Sequence, residues 1–166
     1  MSRREQIGMS EEEIGAFLDE QRVLTCATIG PRGWPHLMPL WYVVREPDRS
    51  LWAWTYAASQ KVRNLERDAR ATVQVEAGEG YEELRGVTME CEVELHRAPE
   101  FVRELGLELF ARYAPAHAVP GAGGSVRDLP AEVVAMVERQ ARKRVALQFI
   151  ENRHASWDHR KLGGVY

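Results

Sequence analysis

The chain has 166 residues, of which 45% are apolar and 28% charged, and its formal net charge is −3. One domain fits this length, because two separate cores would each be too small to be stable. The weak negative charge argues against nucleic-acid and anionic-membrane partners, and no apolar run approaches the roughly 18 residues of a membrane span.

The N-terminal residues and the two cysteines predict a cytoplasmic protein. The charged start, Met1 to Gln6, is followed by no apolar segment of the kind that a signal peptide has. Cys26 and Cys91 both fall within predicted strands and form no Cys-x-x-Cys motif. We therefore expect two buried free thiols in a reducing compartment.

The first predicted helix begins at a capping box formed by Ser10 and Glu13. Ile14, Phe17 and Leu18 follow at helical spacing and give the helix an inward-facing apolar stripe.

A β-hairpin is predicted next, with strands over 23–29 and from Trp34 to Arg45 around a Gly- and Pro-containing turn. Its second strand is apolar on both faces and should be buried on both. Because a small barrel has only one core side, the other face must meet a helix, a cofactor or a second subunit. Pro39 removes a ladder donor from this strand and predicts an edge or a bulge.

An aromatic strand over 51–56 places Trp52, Trp54 and Tyr56 on one face. Two interpretations stay open for this row of rings. It is either a packed core or interface, or the wall of a site that binds a planar ring.

Ser59 is a natural N-cap for a short helix that contains Lys61 and Arg63. Cations in a first turn oppose the helix dipole, and a bound anion would remove that conflict. The alternative is a solvated basic face on a connecting helix.

The second half of the chain predicts two further strands, two helices and a last strand over 144–150. The residues from 114 to 130 are rich in Pro and Gly and predict a loop long enough to act as a lid. In the tail that follows, Trp157 is too large to leave exposed, so we expect it to be docked. Neither the five histidines nor the glutamates of the long strand show the spacing of a metal site.

Two stretches of this sequence resemble the pyridoxamine 5'-phosphate oxidase-like family, from about Ser10 to the C-terminus. They are Pro35-His36-Leu37-Met38-Pro39-Leu40-Trp41-Tyr42-Val43-Val44 and, after the aromatic strand, Ser59-Gln60-Lys61-Val62-Arg63-Asn64-Leu65. The resemblance implies a mainly β (α+β) fold, a six-stranded antiparallel split β-barrel with flanking helices. It also implies a homodimer with cofactor sites at the interface, and one domain over 1–166 whose tail, 151–166, reaches the partner.

The resembled family binds FMN or the related 5-deazaflavin coenzyme F-420, and both remain open here. The implied contacts to the cofactor phosphate are Ser59, Gln60, Lys61 and Arg63. The implied contacts to the ring are Pro39, Leu40, Trp41, Tyr42, Trp54, Thr55 and Tyr56, with Trp157 and Arg160 from the partner's tail. Gln60 departs from the oxidase pattern, which has a basic residue at that position.

These expectations lead to three functional hypotheses. The first is an oxidoreductase that transfers a hydride to or from a small-molecule substrate, with the chemistry supplied by the cofactor. The second is a binding or storage protein that holds flavin, haem or another planar ligand without turnover. The third is a barrel with no cofactor at all. No residue of the sequence must act as an acid or a base.

Overall fold

The computed structural model describes residues 3–113 and 125–163. The strands are β1 (Val23–Ile29), β2 (Pro35–Trp41), β3 (Val43–Arg45), β4 (Ser50–Tyr56), β5 (Arg70–Ala77), β6 (Arg85–His96) and β7 (Arg144–Asp158). The helices are α1 (Arg3–Ile7), α2 (Glu11–Glu20), α3 (Gln60–Arg67), α4 (Pro99–Tyr113) and α5 (Ala131–Ala141). Each of these helices is too short or too polar to span a bilayer.

All seven strands form one antiparallel sheet in the order β2-β1-β5-β6-β7-β4-β3. The two edge strands, β2 and β3, are consecutive in the chain, so the sheet curls on itself into a split barrel. This confirms the predicted fold class. Pro39 lies in an edge strand, as its missing N–H donor predicts.

The sheet has seven strands rather than the predicted six because the strand from Trp34 to Arg45 is interrupted at Tyr42. The backbone N–H of Tyr42 donates to the hydroxyl of Tyr113 at 3.0 Å, and the same hydroxyl lies 2.8 Å from the Tyr42 carbonyl oxygen. A side chain from α4 therefore takes the backbone groups that a ladder would use. The chain pairs with β1 before this break and with β4 after it.

Two hydrophobic cores lie on the two faces of the sheet. The barrel core includes Leu24, Ala53, Val73, Val87 and Leu147. The second core, between the sheet and helices α4 and α5, includes Trp52, Trp54, Leu105, Leu109 and Val137. The predicted alternation of β4 is thus confirmed, since its even-numbered tryptophans and Ala53 face different cores.

Both ends of α2 have hydrogen-bond partners. The predicted capping box is complete, with the Glu13 N–H donating to Ser10 Oγ at 3.2 Å and the Ser10 N–H donating to Glu13 Oε2 at 2.7 Å. At the other end, Arg112 donates to the carbonyl oxygens of Leu18 and Gln21 at 2.9 and 2.8 Å. A cation at this end also complements the helix dipole.

Strand β7 is longer than predicted, because it continues past Ile150 to Asp158. Its second half pairs with β6, which is long enough to receive it, and a bulge between Glu90 and Cys91 adjusts the register. The tail is therefore part of the sheet over residues 151–158, and the predicted end at Ile150 is wrong.

The apolar faces of β2 are not buried within one chain. Leu37 is 57% exposed and Trp41 48% exposed on one face, and Met38 is also exposed on the other. The prediction that this strand is covered on both sides therefore requires something outside the described chain. The predicted lid over 114–130 falls mainly outside the described residues, although Val126–Asp128 forms a short 3-10 helix.

Candidate functional site

The start of α3 has an N-cap serine whose side chain caps nothing. Ser59 has the extended backbone of an N-cap, with φ −71° and ψ 156°, but its hydroxyl makes no capping hydrogen bond. Its Oγ is buried and has no partner among the described residues. The helix predicted here is present, while the predicted cap hydrogen bond is absent. The hydroxyl and the first N–H groups of the helix are left for another acceptor.

Lys61 is buried beside this helix start, with only 6% of its surface exposed. Its ammonium donates to Thr55 Oγ1 at 2.9 Å, and no carboxylate of residues 3–113 and 125–163 pairs with it. Burial lowers the pKa of Lys61, because a charge in a less polar environment is disfavoured. The side chain enters the end of the barrel, so Lys61 does not lie on the solvated basic face that the alternative interpretation of α3 predicts. Arg63, two residues later, is exposed.

A chain of polar contacts fixes α3 against the barrel. Gln60 Nε2 donates to Asn64 Oδ1 at 2.8 Å, and Asn64 Nδ2 donates to Thr28 Oγ1 at 3.0 Å. Asn64 and Thr28 are almost completely buried. Buried polar groups in such a chain hold an element in one orientation, because any shift leaves a group without its partner. The start of α3 is therefore held rigidly.

Arg144 is a second cation near this place, and the sequence did not identify it. It is the β7 partner of Tyr56 at the end of β4, and Ser59 donates its N–H to the Tyr56 carbonyl oxygen at 3.0 Å. Its guanidinium lies 4.4 Å from the ring centroid of Trp54 and 4.3 Å from that of Tyr56. Its Nε is buried without a partner in the described residues, and burial lowers the pKa of Arg144.

Lys61 and Arg144 approach the same turn from the two faces of β4, and the charge of Arg144 contributes, after burial, to the lowered pKa of Lys61. Two partly buried cations without a carboxylate are unfavourable in isolation. An anion bound at the start of α3 would compensate both charges and would accept from the free donors.

The predicted ring contacts do not lie in one place. Pro39 and Trp41 are exposed on β2 and Leu40 is partly buried, so this strand is open to a ligand. Tyr42 is completely buried, and its hydroxyl donates to the Leu18 carbonyl oxygen at 2.6 Å. The side chain of Tyr42 is therefore packed in the barrel core.

The aromatic strand divides in the same way. Trp54 is 8% exposed and lies under α4, where a Cβ on Gly106 would come 2.5 Å from the indole. Trp54 is therefore packed in the second core, as one of the two interpretations of the aromatic strand predicts. Tyr56 is exposed beside Arg144, and Thr55 holds Lys61.

The predicted tail residues contact their own chain. A Cβ on Gly86 would come 2.4 Å from Cζ2 of Trp157, so the indole packs directly on this glycine. Arg160 forms a two-pronged pair with the buried carboxylate of Asp158, with Nε to Oδ1 at 2.8 Å and Nη2 to Oδ2 at 2.6 Å. The docking of Trp157 is as expected, whereas the contact of Trp157 and Arg160 with a partner's site stays a prediction.

Comparison with known proteins places this geometry in a family. A family model described as pyridoxamine 5'-phosphate oxidase matches residues 10–149, whereas no curated protein matches the chain. The crystal structure of the conserved hypothetical protein Rv2991 from Mycobacterium tuberculosis is similar over 100% of this chain and 95% of that chain, with 38% identity and a TM-score of 0.83.

Two other solved structures share the fold at low sequence identity. An F420 reductase has 18% identity and a TM-score of 0.62, with 88% of this chain and 98% of that chain covered. HutZ, a haem storage protein from Vibrio cholerae, has 14% identity and a TM-score of 0.63, with 88% and 94% covered. The fold, the sequence motifs and the family match agree: the chain belongs to the pyridoxamine 5'-phosphate oxidase family.

Proposed function

We propose that this protein is an oxidoreductase that binds FMN, or alternatively the 5-deazaflavin coenzyme F-420, and transfers a hydride to or from a small molecule. Membership of the family supports a flavin-type cofactor, and a protein of the same fold is an F420 reductase. The observation that carries the proposal is the start of α3, where Ser59 Oγ has no partner and Lys61 has no counter-ion in the described residues.

These groups fit the phosphate of such a cofactor. The phosphate oxygens would accept from the Ser59 hydroxyl, from the first N–H groups of α3 and from the Lys61 ammonium. Gln60 and Arg63 lie on the same helix, and the exposed Arg63 would act mainly through its long-range field. A bound dianion would also raise the pKa of Lys61, opposing the effect of burial.

The ring would lie along the exposed edge of β2, at Pro39, Leu40 and Trp41, with Tyr56 nearby. A bound flavin or deazaflavin ring supplies the hydride-transfer chemistry. The chain itself binds the phosphate, orients the ring on a rigid strand and excludes water from its buried side. Tyr42 and Trp54 would act from the core beneath, because their side chains are already packed.

A homodimer forms part of this proposal. The exposed face of β2 carries Leu37, and Val23 and Ile29 of β1 are exposed beside it. Covering such a surface with a second copy stabilises it by roughly 25 cal/mol for each Å² of apolar area removed from water. A two-fold contact is the commonest arrangement. It would place Trp157 and Arg160 of one chain within reach of the other chain's site.

The test compares the binding of FMN with the binding of riboflavin, its phosphate-free counterpart. We expect Lys61→Met to weaken FMN binding about 10- to 100-fold, the equivalent of one charged hydrogen bond, and to leave riboflavin binding unchanged. Lys143→Met is the matched control, because Lys143 is an exposed cation next to Arg144. Equal FMN affinities of wild type and Lys61→Met would contradict the phosphate site. A loss of riboflavin affinity as large as the loss of FMN affinity would contradict it as well.

A second experiment separates the oxidoreductase from a storage protein for flavin, haem or another planar ligand. The absorbance spectrum of freshly purified protein, with mass analysis of the released ligand, identifies what is carried. Reduction of the bound ring by a hydride donor and its reoxidation by a small-molecule acceptor over many cycles would support the oxidoreductase. A ligand that binds tightly and never turns over with any donor would favour storage.

A further inference from the structure

We propose that Tyr113 is a positioning residue that holds the Trp41 indole as a platform for the planar ring of the ligand. This inference rests on the proposed function, since it takes the edge of β2 as the place of the ring. Tyr113 is the last residue of α4, and its helical spacing from Val102, Leu105 and Leu109 predicts only a place in an apolar stripe.

The two rings form a parallel stack. Their centroids are 4.6 Å apart and their planes differ by 11°. Trp41 nevertheless remains 48% exposed, although one face of its indole is covered by Tyr113. A large aromatic side chain on an exposed strand, supported from behind by a second ring, offers its remaining surface for stacking. A ligand with a flat aromatic system would continue the stack.

Tyr113 is itself fixed by contacts with Arg22, Tyr42 and Arg112. Its hydroxyl accepts from the Tyr42 N–H at 3.0 Å and lies 2.6 Å from the Arg22 carbonyl oxygen. The guanidinium groups of Arg22 and Arg112 lie 5.7 and 5.8 Å from the centroid of its ring. Arg22 in turn donates to the Arg112 carbonyl oxygen at 2.8 Å. These contacts fix the position of the phenol ring, and the indole stacked on it is fixed with it.

The same residue therefore makes the break in the strand and supports the platform. Because its hydroxyl removes Tyr42 from the ladder, the chain changes partner directly after Trp41. The indole thus stands at the end of β2, at the opening between the two edge strands, where a flat ligand has access to it.

The experiment measures the affinity of FMN and of riboflavin for single and double variants. Tyr113→Leu should weaken both by the same factor, about three- to tenfold, as expected for an aromatic pair. Tyr113→Phe keeps the stacked ring and should lose much less affinity for both ligands than Tyr113→Leu, with lower stability because the hydroxyl contacts are lost. In a Trp41→Leu background, Tyr113→Leu should cause no further loss, since it acts through the indole.

Phe110→Leu is the control. Phe110 lies on the same helix but contacts Trp54 in the second core, with centroids 6.3 Å apart. It should lower stability and leave both affinities unchanged. An equal affinity loss in Phe110→Leu would overturn the proposal, because it would indicate general loosening of α4. Additive losses for Trp41→Leu and Tyr113→Leu would overturn it as well.

The outcomes also separate this inference from the proposed phosphate site. Loss of FMN binding in Lys61→Met together with unchanged riboflavin binding in a folded Tyr113→Leu protein would overturn the platform alone. If Tyr113→Leu does not fold, Trp41→Leu decides the matter, because an exposed residue is replaced. Unchanged riboflavin affinity in that variant would overturn the platform.

Discussion

Two helices of this chain begin with a serine in nearly the same backbone conformation, and only one of the serines makes a cap. Ser10 has φ −72° and ψ 166°, and Ser59 has φ −71° and ψ 156°. The first turn after Ser10 carries three glutamates, and one of them closes the capping box. The first turn after Ser59 carries no acid, and Lys61 is buried there.

The difference lies in what each helix start leaves for a ligand. At α2 the side chains of Ser10 and Glu13 accept from two N–H groups at the helix start, and the glutamates oppose the dipole with negative charge. At α3 a hydroxyl has no partner and a cation has no counter-ion among the described residues. The first arrangement stabilises the fold, whereas the second costs stability that a bound anion would restore. Local backbone geometry alone would not distinguish them.

The largest effect is expected from removing the buried cation. Lys61→Met should raise the free energy of unfolding of the ligand-free protein by about 1–2 kcal/mol at pH 7, because an uncompensated buried charge is lost. Burial lowers the pKa of Lys61 in the folded state. At pH values between this lowered pKa and the ordinary pKa of lysine, the unfolded chain binds more protons than the folded chain. The free energy of unfolding therefore rises with pH in that interval.

Urea denaturation of wild type and Lys61→Met from pH 7 to pH 10 measures both effects. The rise of stability with pH should be present in the wild type and reduced in the variant. A variant that is less stable than the wild type in the absence of ligand would mean that Lys61 is a structural residue, and the contrast between the two helix starts would fail.

Alanine at each serine gives the next effect. Ser10→Ala should lower the free energy of unfolding by about 1 kcal/mol, the usual cost of a lost N-cap, without changing ligand affinity. Ser59→Ala should leave stability nearly unchanged, because its hydroxyl makes no hydrogen bond within residues 3–113 and 125–163. It should weaken FMN by about 1 kcal/mol, roughly fivefold, and leave riboflavin unaffected. Thermal denaturation and ligand titration of the same two proteins check the crossed pattern, and two equal stability losses would contradict it.

The smallest effect is expected from making α3 resemble α2. Gln60→Glu places an acid in the first turn of α3, which the helix dipole favours by about 0.3–1 kcal/mol, but it also removes the Nε2 donor to Asn64, so the stability of the ligand-free protein should change little. The same charge should weaken FMN binding by about 0.3–1 kcal/mol through repulsion of the phosphate. This loss of affinity should diminish in 0.5 M salt, which screens exposed charges. Stronger FMN binding in Gln60→Glu would be incompatible with an anion at this helix.

Features that depend on near neighbours in the sequence could be predicted. The capping box of Ser10, the helix after Ser59 and the two faces of β4 each follow from residues a few positions apart. The family resemblance predicted the barrel and a contact between Lys61 and the cofactor phosphate. The contrast between the two serines could not be predicted, because the sequence does not show whether the hydroxyl of an N-cap serine has a hydrogen-bond partner.

Features that depend on distant residues could not be predicted. The break at Tyr42 is made by the hydroxyl of Tyr113, and the burial of Lys61 depends on how the barrel end closes over Thr55. Arg144 enters the site only because β7 pairs with β4. The polar residues after Ile150 suggested a tail, whereas β6 supplies a long partner strand and Gly86 leaves room for an indole.

The place of β7 in the sheet has a consequence for how the chain folds as it is synthesised. This strand, Arg144–Asp158, joins β6 on one side to β4 on the other. Until it leaves the ribosome, the sheet exists only as two unconnected parts, β2-β1-β5-β6 and β4-β3. The strands made before it must therefore remain with uncovered edges until β7 is synthesised. Such non-local pairing slows folding and exposes the nascent chain to aggregation, so the synthesis of β7 sets the moment at which the barrel closes.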